Sequence, residues 1–239
     1  MSGRITILAA VTLFASLPPI QAGGQESGAV YRVPIHGDIE LGLAPFVERS
    51  LELAKAAQAG VVILDLETPG GRVDAAQRIA NAIGDSDVPV YAYVNRHAYS
   101  AGALIALATE GVFMRSGSVM GAATPVVGSG EKAPEKIVSA MRSQMRALAE
   151  ARGLDPAVAE AMVDEDIAIP GVVEAGKLLT LTTSEAVDLD FATEVADWDA
   201  LMAHLGLDAS QRVEMEVNWA ERIVRFLSNP IVAPFLLSL

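Results

Sequence analysis

The stretch "HAYSAGA" (97–103) places a serine between an apolar run and a run of small residues. A serine at the start of a helix lies at the positive end of the helix dipole, and the amide of the next residue could stabilise an oxyanion formed on a substrate. Ser100 and the amide of Ala101 would then belong to an acyl-transfer site, and the small residues would leave room for a substrate backbone. The alternative is that Ser100 only caps a helix, which is a common role of serine.

A second stretch, "LETPGGRVD" (66–74), ends one apolar run and begins an amphipathic one. Paired glycines let a backbone approach a ligand closely, and their amides can point out of the turn. Gly70 and Gly71 are expected at the carboxyl end of a strand, where ligands bind in open α/β sheets. The alternative is a tight turn that needs positive φ. Because Ser100 follows the next strand, the two turns are expected at one sheet edge, where they would form half of an acyl-transfer site.

A serine nucleophile needs a base, and the chain has three histidines. His97 precedes Ser100 by three residues on the same turn, so its ring is expected to point outward or into packing. His36 and His204 are isolated in the sequence and give no argument for catalysis. The histidines therefore do not provide an obvious base.

A lysine can act as the base where a dry pocket lowers its pKa. Lys136 fits best among the four lysines, because it opens a predicted helix after a Gly- and Pro-rich loop and can reach back over the site. Lys132 lies in the more mobile part of that loop. The alternative for Lys136 is an ordinary solvated charge at a helix end.

Apolar runs alternate with amphipathic runs along the first half of the chain, which predicts an α/β domain with repeated strand-helix units and crossover connections. Strands are predicted over 29–35, 60–67, 88–95 and 111–117, and helices over 41–59, 72–85 and 101–110. Residues 119–136 are predicted as a loop, followed by helices over 137–153, 155–165, 182–192 and 197–207.

Composition excludes several classes of function. The 239 residues include 17 Lys and Arg against 30 Asp and Glu, so the chain lacks the clustered basic residues that nucleic acid requires. The absence of cysteine excludes disulfides, thiolate nucleophiles and thiolate metal sites. We predict neither a metal nor a cofactor.

Both termini point to a membrane. Residues 1–22 have one arginine, an apolar run and small residues near Ala22, as in a secretory signal peptide, with an uncleaved anchor as the alternative. Either would export the folded part to the extracytoplasmic side of the cell membrane. Residues 211–239 are amphipathic and become apolar from Phe226. That apolar part is too short to cross a bilayer core of about 30 Å, so it is expected to lie in the interface or to begin a membrane helix.

Three segments, "LDLETPGGRVDAAQRIANAI", "YVNRHAYSAGALIALATEGVFMRSGSVMGAATPV" and "APEKIVSAMRSQM", resemble in order and spacing the membrane-bound serine proteases of the NfeD type. These are relatives of signal peptide peptidase A and, more distantly, of ClpP and the crotonases. The resemblance covers about residues 28–210 and implies a ClpP/crotonase-like fold. It implies that Ser100 is the nucleophile and Lys136 the general base. It assigns the oxyanion hole to the amides of Gly70, Gly71 and Ala101.

The same resemblance implies a substrate groove lined by Met120, Gly121 and Ala122, and a homo-oligomer. It implies cleavage of hydrophobic segments of proteins, including the C-terminal part of stomatin-like membrane proteins. ClpP uses a histidine after its serine, and no histidine lies between His97 and His204 here, which favours a Ser-Lys dyad. Two other functions stay open: a non-catalytic scaffold that binds a membrane partner, and a crotonase-like acyl-CoA enzyme.

Overall fold

The computed structural model describes residues 28–228. The predicted signal peptide and the apolar residues after 228 lie outside this range. The strands are β1 Val30–His36, β2 Val61–Thr68, β3 Val90–Tyr99, β4 Gly111–Arg115, β5 Val119–Gly121, β6 Thr180–Thr182, β7 Thr193–Val195 and β8 Arg212–Glu214. The helices are α1 Leu43–Ala56, α2 Val73–Gly84, α3 Ala101–Leu107, α4 Glu135–Ala151, α5 Pro156–Ala161, α6 Thr183–Asp188, α7 Trp198–His204 and α8 Trp219–Ser228.

The strands form one eight-stranded sheet in the order β6-β5-β3-β2-β1-β8, with β4 paired to β3 and β7 paired to β4. Within residues 28–228, the strand pairs are parallel except β5 with β6. Strand β3 pairs with β4 along its first half and with β5 along its second half. The carboxyl ends of β2 and β3 therefore lie side by side, as the strand-helix alternation predicts.

Both faces of the sheet are covered, which explains the continuous apolar run of β2. One face packs Leu64 and Leu66 against helices α1 to α5, with Phe46 and Leu104 fully buried between the layers. The other face packs Ile63 and its neighbours against α7. Within residues 28–228 we find no helix with the length and apolarity to cross a bilayer.

The sequence misplaces three boundaries near the candidate site. Strand β3 continues to Tyr99, because its polar end, which reads as a turn in sequence, pairs with β5. The predicted loop 119–136 begins as strand β5, and α4 starts at Glu135 rather than after Lys136. At the opposite edge of the sheet, β8 pairs with the first residues of β1.

Candidate active site

Ser100 has an unusual backbone conformation between β3 and α3. Its φ is 53° and its ψ is −118°, a region that costs a non-glycine residue about 1–3 kcal/mol. The conformation is held by a hydrogen bond that its N–H donates to the Gly121 carbonyl at 2.8 Å. In the described part of the chain the Ser100 hydroxyl makes no capping hydrogen bond to α3. The hydroxyl is therefore not used as a helix cap.

The Gly70 turn passes directly beside Ser100. A Cβ atom on Gly70, whose φ is +103°, would lie 2.6 Å from Ser100 Cβ and 3.2 Å from Ser100 Oγ. Only glycine permits this approach, because any side chain would overlap the serine. The structure thus brings together the two turns that the sequence predicts at one edge of the sheet.

The backbone amides of the turn are not equivalent. The Gly70 N–H donates to Thr68 Oγ1 at 3.0 Å. Ile39 holds the turn by two backbone hydrogen bonds. Its N–H donates to the Gly70 carbonyl at 2.8 Å, and its carbonyl accepts from the Arg72 N–H at 2.7 Å. The Gly71 N–H has no acceptor anywhere in residues 28–228, and the same holds for the Ala101 N–H at the first turn of α3. The amides of Gly71 and Ala101, unlike that of Gly70, are therefore unengaged within the described residues.

Two residues that support this turn escape analysis of the sequence alone. Thr68 is fully buried and fixes the Gly70 amide. A Cβ on Gly102 would lie 2.6 Å from Thr68 Cγ2, so the small residue after Ser100 makes room for the neighbouring strand. The small size of Gly102 thus accommodates Thr68, whereas the sequence analysis expected it to leave space for a substrate backbone. Ile39 is the second missed residue. The glycines of "PGG" and "SAG" indicate close backbone approach, but the sequence does not show which residue makes the contact.

Lys136 lies in the first turn of α4 and its side chain is exposed, not enclosed in a dry pocket as the sequence argument requires. It lines a cleft of about 520 Å³ together with Arg72 and Val73, which follow the glycine turn. Across the described range Lys136 and Ser100 share no hydrogen bond, and Lys136 has no ion-pair partner. Lys132, in the loop before α4, places Nζ 3.3 Å from Glu165 Oε1.

The rest of the cleft is largely apolar. It includes exposed Val126, Val127 and Ile137. A charged pair also lines it, since Arg72 Nη2 lies 2.6 Å from Asp74 Oδ2. The hydrogen bond from Arg72 is the main cause that lowers the pKa of Asp74 below its ordinary value.

The three predicted groove residues have different environments. Met120 is fully buried in the core, so only its backbone can line a groove. Gly121 accepts the hydrogen bond from Ser100, and Ala122 has a φ of 49° and donates its N–H to the Leu179 carbonyl at 2.9 Å. The backbone at Gly121 and Ala122 thus lies next to Ser100.

The histidines have other neighbours. The His97 ring stacks on Tyr99 with 5.1 Å between ring centroids. His36 Nε2 lies 3.3 Å from Asp65 Oδ2, and His204 contacts Phe113 edge-on. Glu67, which adds a charge near the glycine turn, accepts a hydrogen bond from Asn95 Nδ2 at 3.2 Å and lies 3.4 Å from Arg96 Nη1. The part of the chain that the structure describes has no group of three or more His, Asp or Glu side chains able to hold a metal ion.

Comparison with known proteins identifies the family. The model of the NfeD1b N-terminal domain matches residues 29–215. The chain belongs to the NfeD1b N-terminal domain family. It is 40% identical over 216 residues to the membrane protein NfeD1b of Bacillus subtilis (strain 168), covering 90% of this chain and 49% of that protein. It is 30% identical over 174 residues to the membrane-bound protease PH1510 of Pyrococcus horikoshii, covering 70% of this chain and 38% of that protein. This NfeD1b-type chain thus spans about half the length of these relatives, or less.

Solved structures share the fold of this NfeD1b-type domain. A serine-to-alanine variant of the 1510-N membrane-bound stomatin-specific protease matches with a TM-score of 0.71 and 25% identity, covering 80% of this chain and 99% of that one. A lysine-to-alanine variant of the same 1510-N protease, in complex with a substrate peptide, matches with a TM-score of 0.72 and 23% identity, covering 85% of this chain and 99% of that one. ClpP1 of Listeria monocytogenes matches with a TM-score of 0.55 and 22% identity, covering 71% and 94%. The predicted α/β fold of the ClpP type and the resemblance to the NfeD family are confirmed.

Proposed function

We propose that this chain is a membrane-associated serine endopeptidase in which Ser100 is the nucleophile and Lys136 the general base. The observation that carries the proposal is the strained backbone of Ser100, whose hydroxyl lies against the glycine turn without capping its helix. Strained backbone at a solvent-accessible serine is typical of a nucleophile held ready for attack. The protease names of the PH1510 relatives support the same activity.

In this proposal Ser100 Oγ attacks a peptide carbonyl and transfers its proton to the Lys136 amine. The developing oxyanion accepts hydrogen bonds from the amides of Gly71 and Ala101, which have no other acceptor in residues 28–228. The Gly70 amide does not take part, because it donates to Thr68 Oγ1. The role of Gly70 is to let the turn approach Ser100 closely, since it has no side chain. The amine leaving group departs with a proton from Lys136, and water then hydrolyses the acyl-enzyme.

Because Lys136 is exposed, we propose that the bound substrate itself shields the lysine amine from water. A peptide seated in the cleft would cover Lys136 and exclude water from its amine, which is the environment in which a lysine becomes a base. A second subunit packed over the cleft would have the same effect. The proposal therefore includes self-association.

The substrate class follows from the lining of the cleft. Exposed Val126, Val127 and Ile137 favour hydrophobic segments. The 1510-N protease is described as stomatin-specific, so we propose a stomatin-like membrane protein as the partner of this chain. With the predicted signal peptide and C-terminal apolar segment, the domain would work at the extracytoplasmic face of the membrane.

The test compares the full chain in detergent with its Ser100→Ala, Lys136→Ala and Lys132→Ala variants. Labelling by a fluorophosphonate probe and cleavage of casein are measured on protein shown to be folded by circular dichroism. Removing the nucleophile abolishes labelling, and removing the base slows it about 100- to 10,000-fold. The matched control Lys132→Ala keeps both activities.

Other outcomes separate the remaining functions. If Lys136→Ala reacts like wild type, another group is the base. A folded wild-type chain that is inert in both assays would favour the non-catalytic scaffold. Binding to immobilised coenzyme A would favour the acyl-CoA enzyme.

A further inference from the structure

Helix α8 is attached to the domain through two ion pairs. Arg49 on α1 donates to both carboxylate oxygens of Glu221, at 2.6 and 2.8 Å. Arg225, one turn further along α8, places Nε 2.8 Å from Glu40 Oε1. The two pairs fix α8 against α1 and against the loop that precedes α1.

The opposite face of α8 is apolar and exposed. Its exposed large side chains are Trp219, Ile223, Phe226 and Leu227, which recur at helical spacing. The sequence continues from α8 directly into the apolar residues 229–239. An exposed apolar stripe beside an apolar segment is suited to a bilayer interface. Of the described elements, α8 is therefore the one expected nearest the membrane.

Glu40 depends on Arg225 for its counter-charge. Its side chain is only 7% exposed, and its Oε2 accepts a hydrogen bond from the Gly42 N–H at 2.5 Å. Its Oε1 has no hydrogen bond in the described part of the chain, because the Arg225 N–H lies close but is not directed at it. Gly42 permits this approach, since a Cβ there would lie 2.8 Å from Arg225 Cγ. Removing Arg225 would leave a buried carboxylate unpaired, which is unfavourable.

The residue before Glu40 holds the glycine turn. The Ile39 carbonyl accepts a hydrogen bond from the Arg72 N–H at 2.7 Å, and the Ile39 N–H donates to the Gly70 carbonyl at 2.8 Å. Gly71 packs so closely on Ile39 that a Cβ would lie 2.2 Å from the Ile39 carbonyl oxygen. One peptide unit therefore connects Glu40 to the residue that contacts Gly71.

We propose that Glu40 and Arg225 are positioning residues that couple the attachment of α8 to the geometry of the Gly70–Gly71 turn. When α8 lies in place, Arg225 neutralises Glu40 and the loop holds the Gly71 amide towards Ser100. When α8 is displaced, the uncompensated carboxylate moves towards water and the turn loosens. The membrane-proximal helix thereby controls the reactivity of Ser100. The catalytic part of this inference rests on the proposed function.

The experiment uses the full chain in detergent and measures the rate constant for fluorophosphonate acylation at saturating probe. Arg225→Met is expected to slow acylation about tenfold, without weakening probe binding, because the oxyanion amide is misplaced. Adding Glu40→Gln to Arg225→Met restores the rate to within about threefold of wild type. The neutral amide needs no counter-charge, and its oxygen still accepts from Gly42. Arg225→Lys keeps the wild-type rate. The matched control is Arg222→Met, since within residues 28–228 the Arg222 side chain on the same helix donates to the Val217 carbonyl and to no other group.

Hydrogen exchange provides a second readout that does not depend on activity. In Arg225→Met the hydrogen-bonded amides of Gly70 and Arg72 exchange faster than in wild type. The double variant restores their exchange rates, and the amides of β4 are unchanged. The coupling is refuted if the exchange of these amides in Arg225→Met is the same as in wild type. It is also refuted if they exchange as fast in the double variant as in Arg225→Met. Equal acylation by Arg225→Met and wild type also overturns it. A wild-type chain that does not acylate refutes the proposed function, and exchange then decides the coupling alone.

Discussion

Replacing Gly70 by alanine tests directly whether the glycine turn positions the nucleophile. The new Cβ would lie 2.6 Å from Ser100 Cβ and 2.9 Å from the Tyr99 carbonyl oxygen. Carbon atoms prefer separations of about 3.5–4.0 Å, so Ser100 and the turn must move apart by roughly 1 Å. Such a displacement between a nucleophile and its oxyanion donors costs about 100-fold in rate.

The substitution also strains the backbone, because Gly70 has a φ of +103°. A non-glycine residue in such a conformation loses about 1–3 kcal/mol of stability. Gly153 provides the matched control. Its φ is +70°, and no heavy atom lies within 4 Å of the position of its Cβ. Gly153→Ala therefore introduces backbone strain beyond the end of α4 without a steric clash.

The assay pairs fluorophosphonate acylation with urea unfolding for both variants. Gly153→Ala should lose about 1–3 kcal/mol in the free energy of unfolding, and Gly70→Ala should lose that amount plus the cost of the overlap with Ser100. Only Gly70→Ala should lose about 100-fold in acylation rate. If folded Gly70→Ala acylates within about threefold of wild type, the glycine turn does not set the position of Ser100. An equal loss of rate in Gly153→Ala would show that general destabilisation explains the effect.

Two more predictions concern the supports of the site. Thr68→Val removes the acceptor of the Gly70 N–H, so we expect a loss of about 1–3 kcal/mol in unfolding free energy and slower acylation. Thr68→Ser should keep both properties, and equal behaviour of the two variants would contradict the role of Oγ1. Hydrogen bonding from Arg49 is the main cause that lowers the pKa of Glu221 below its ordinary 4.5. This stabilisation is therefore fully present above that value and is lost as the pH falls through the lower pKa of the folded state. The difference in unfolding free energy between wild type and Glu221→Gln, about 2 kcal/mol at neutral pH, should shrink in acid, and a constant difference would refute the assignment.

The sequence determined the features that depend on neighbouring residues. Apolar runs between amphipathic runs predicted the α/β fold, because strands buried on both faces need continuous apolar residues. The same alternation predicted that the turns after β2 and β3 meet, because parallel strands end at the same edge of the sheet. Resemblance to the NfeD family followed from three motifs in order, and the family match confirms it. The roles of Ser100 and Lys136 stay predictions.

Tertiary structure decided what depends on residues far apart along the chain. The sequence does not distinguish Gly70 from Gly71. In the structure the Gly70 N–H donates to Thr68 Oγ1, whereas Ile39 pairs with the Gly70 carbonyl and the Arg72 N–H and leaves the Gly71 N–H without an acceptor in residues 28–228. Lys136 is exposed although its motif suggested a buried base, because enclosure depends on what packs over the cleft. The ion pair between Glu40 and Arg225 has no local signal. Local sequence limits backbone conformation, whereas the pairing of distant charges and amides depends on how the sheet and helices pack.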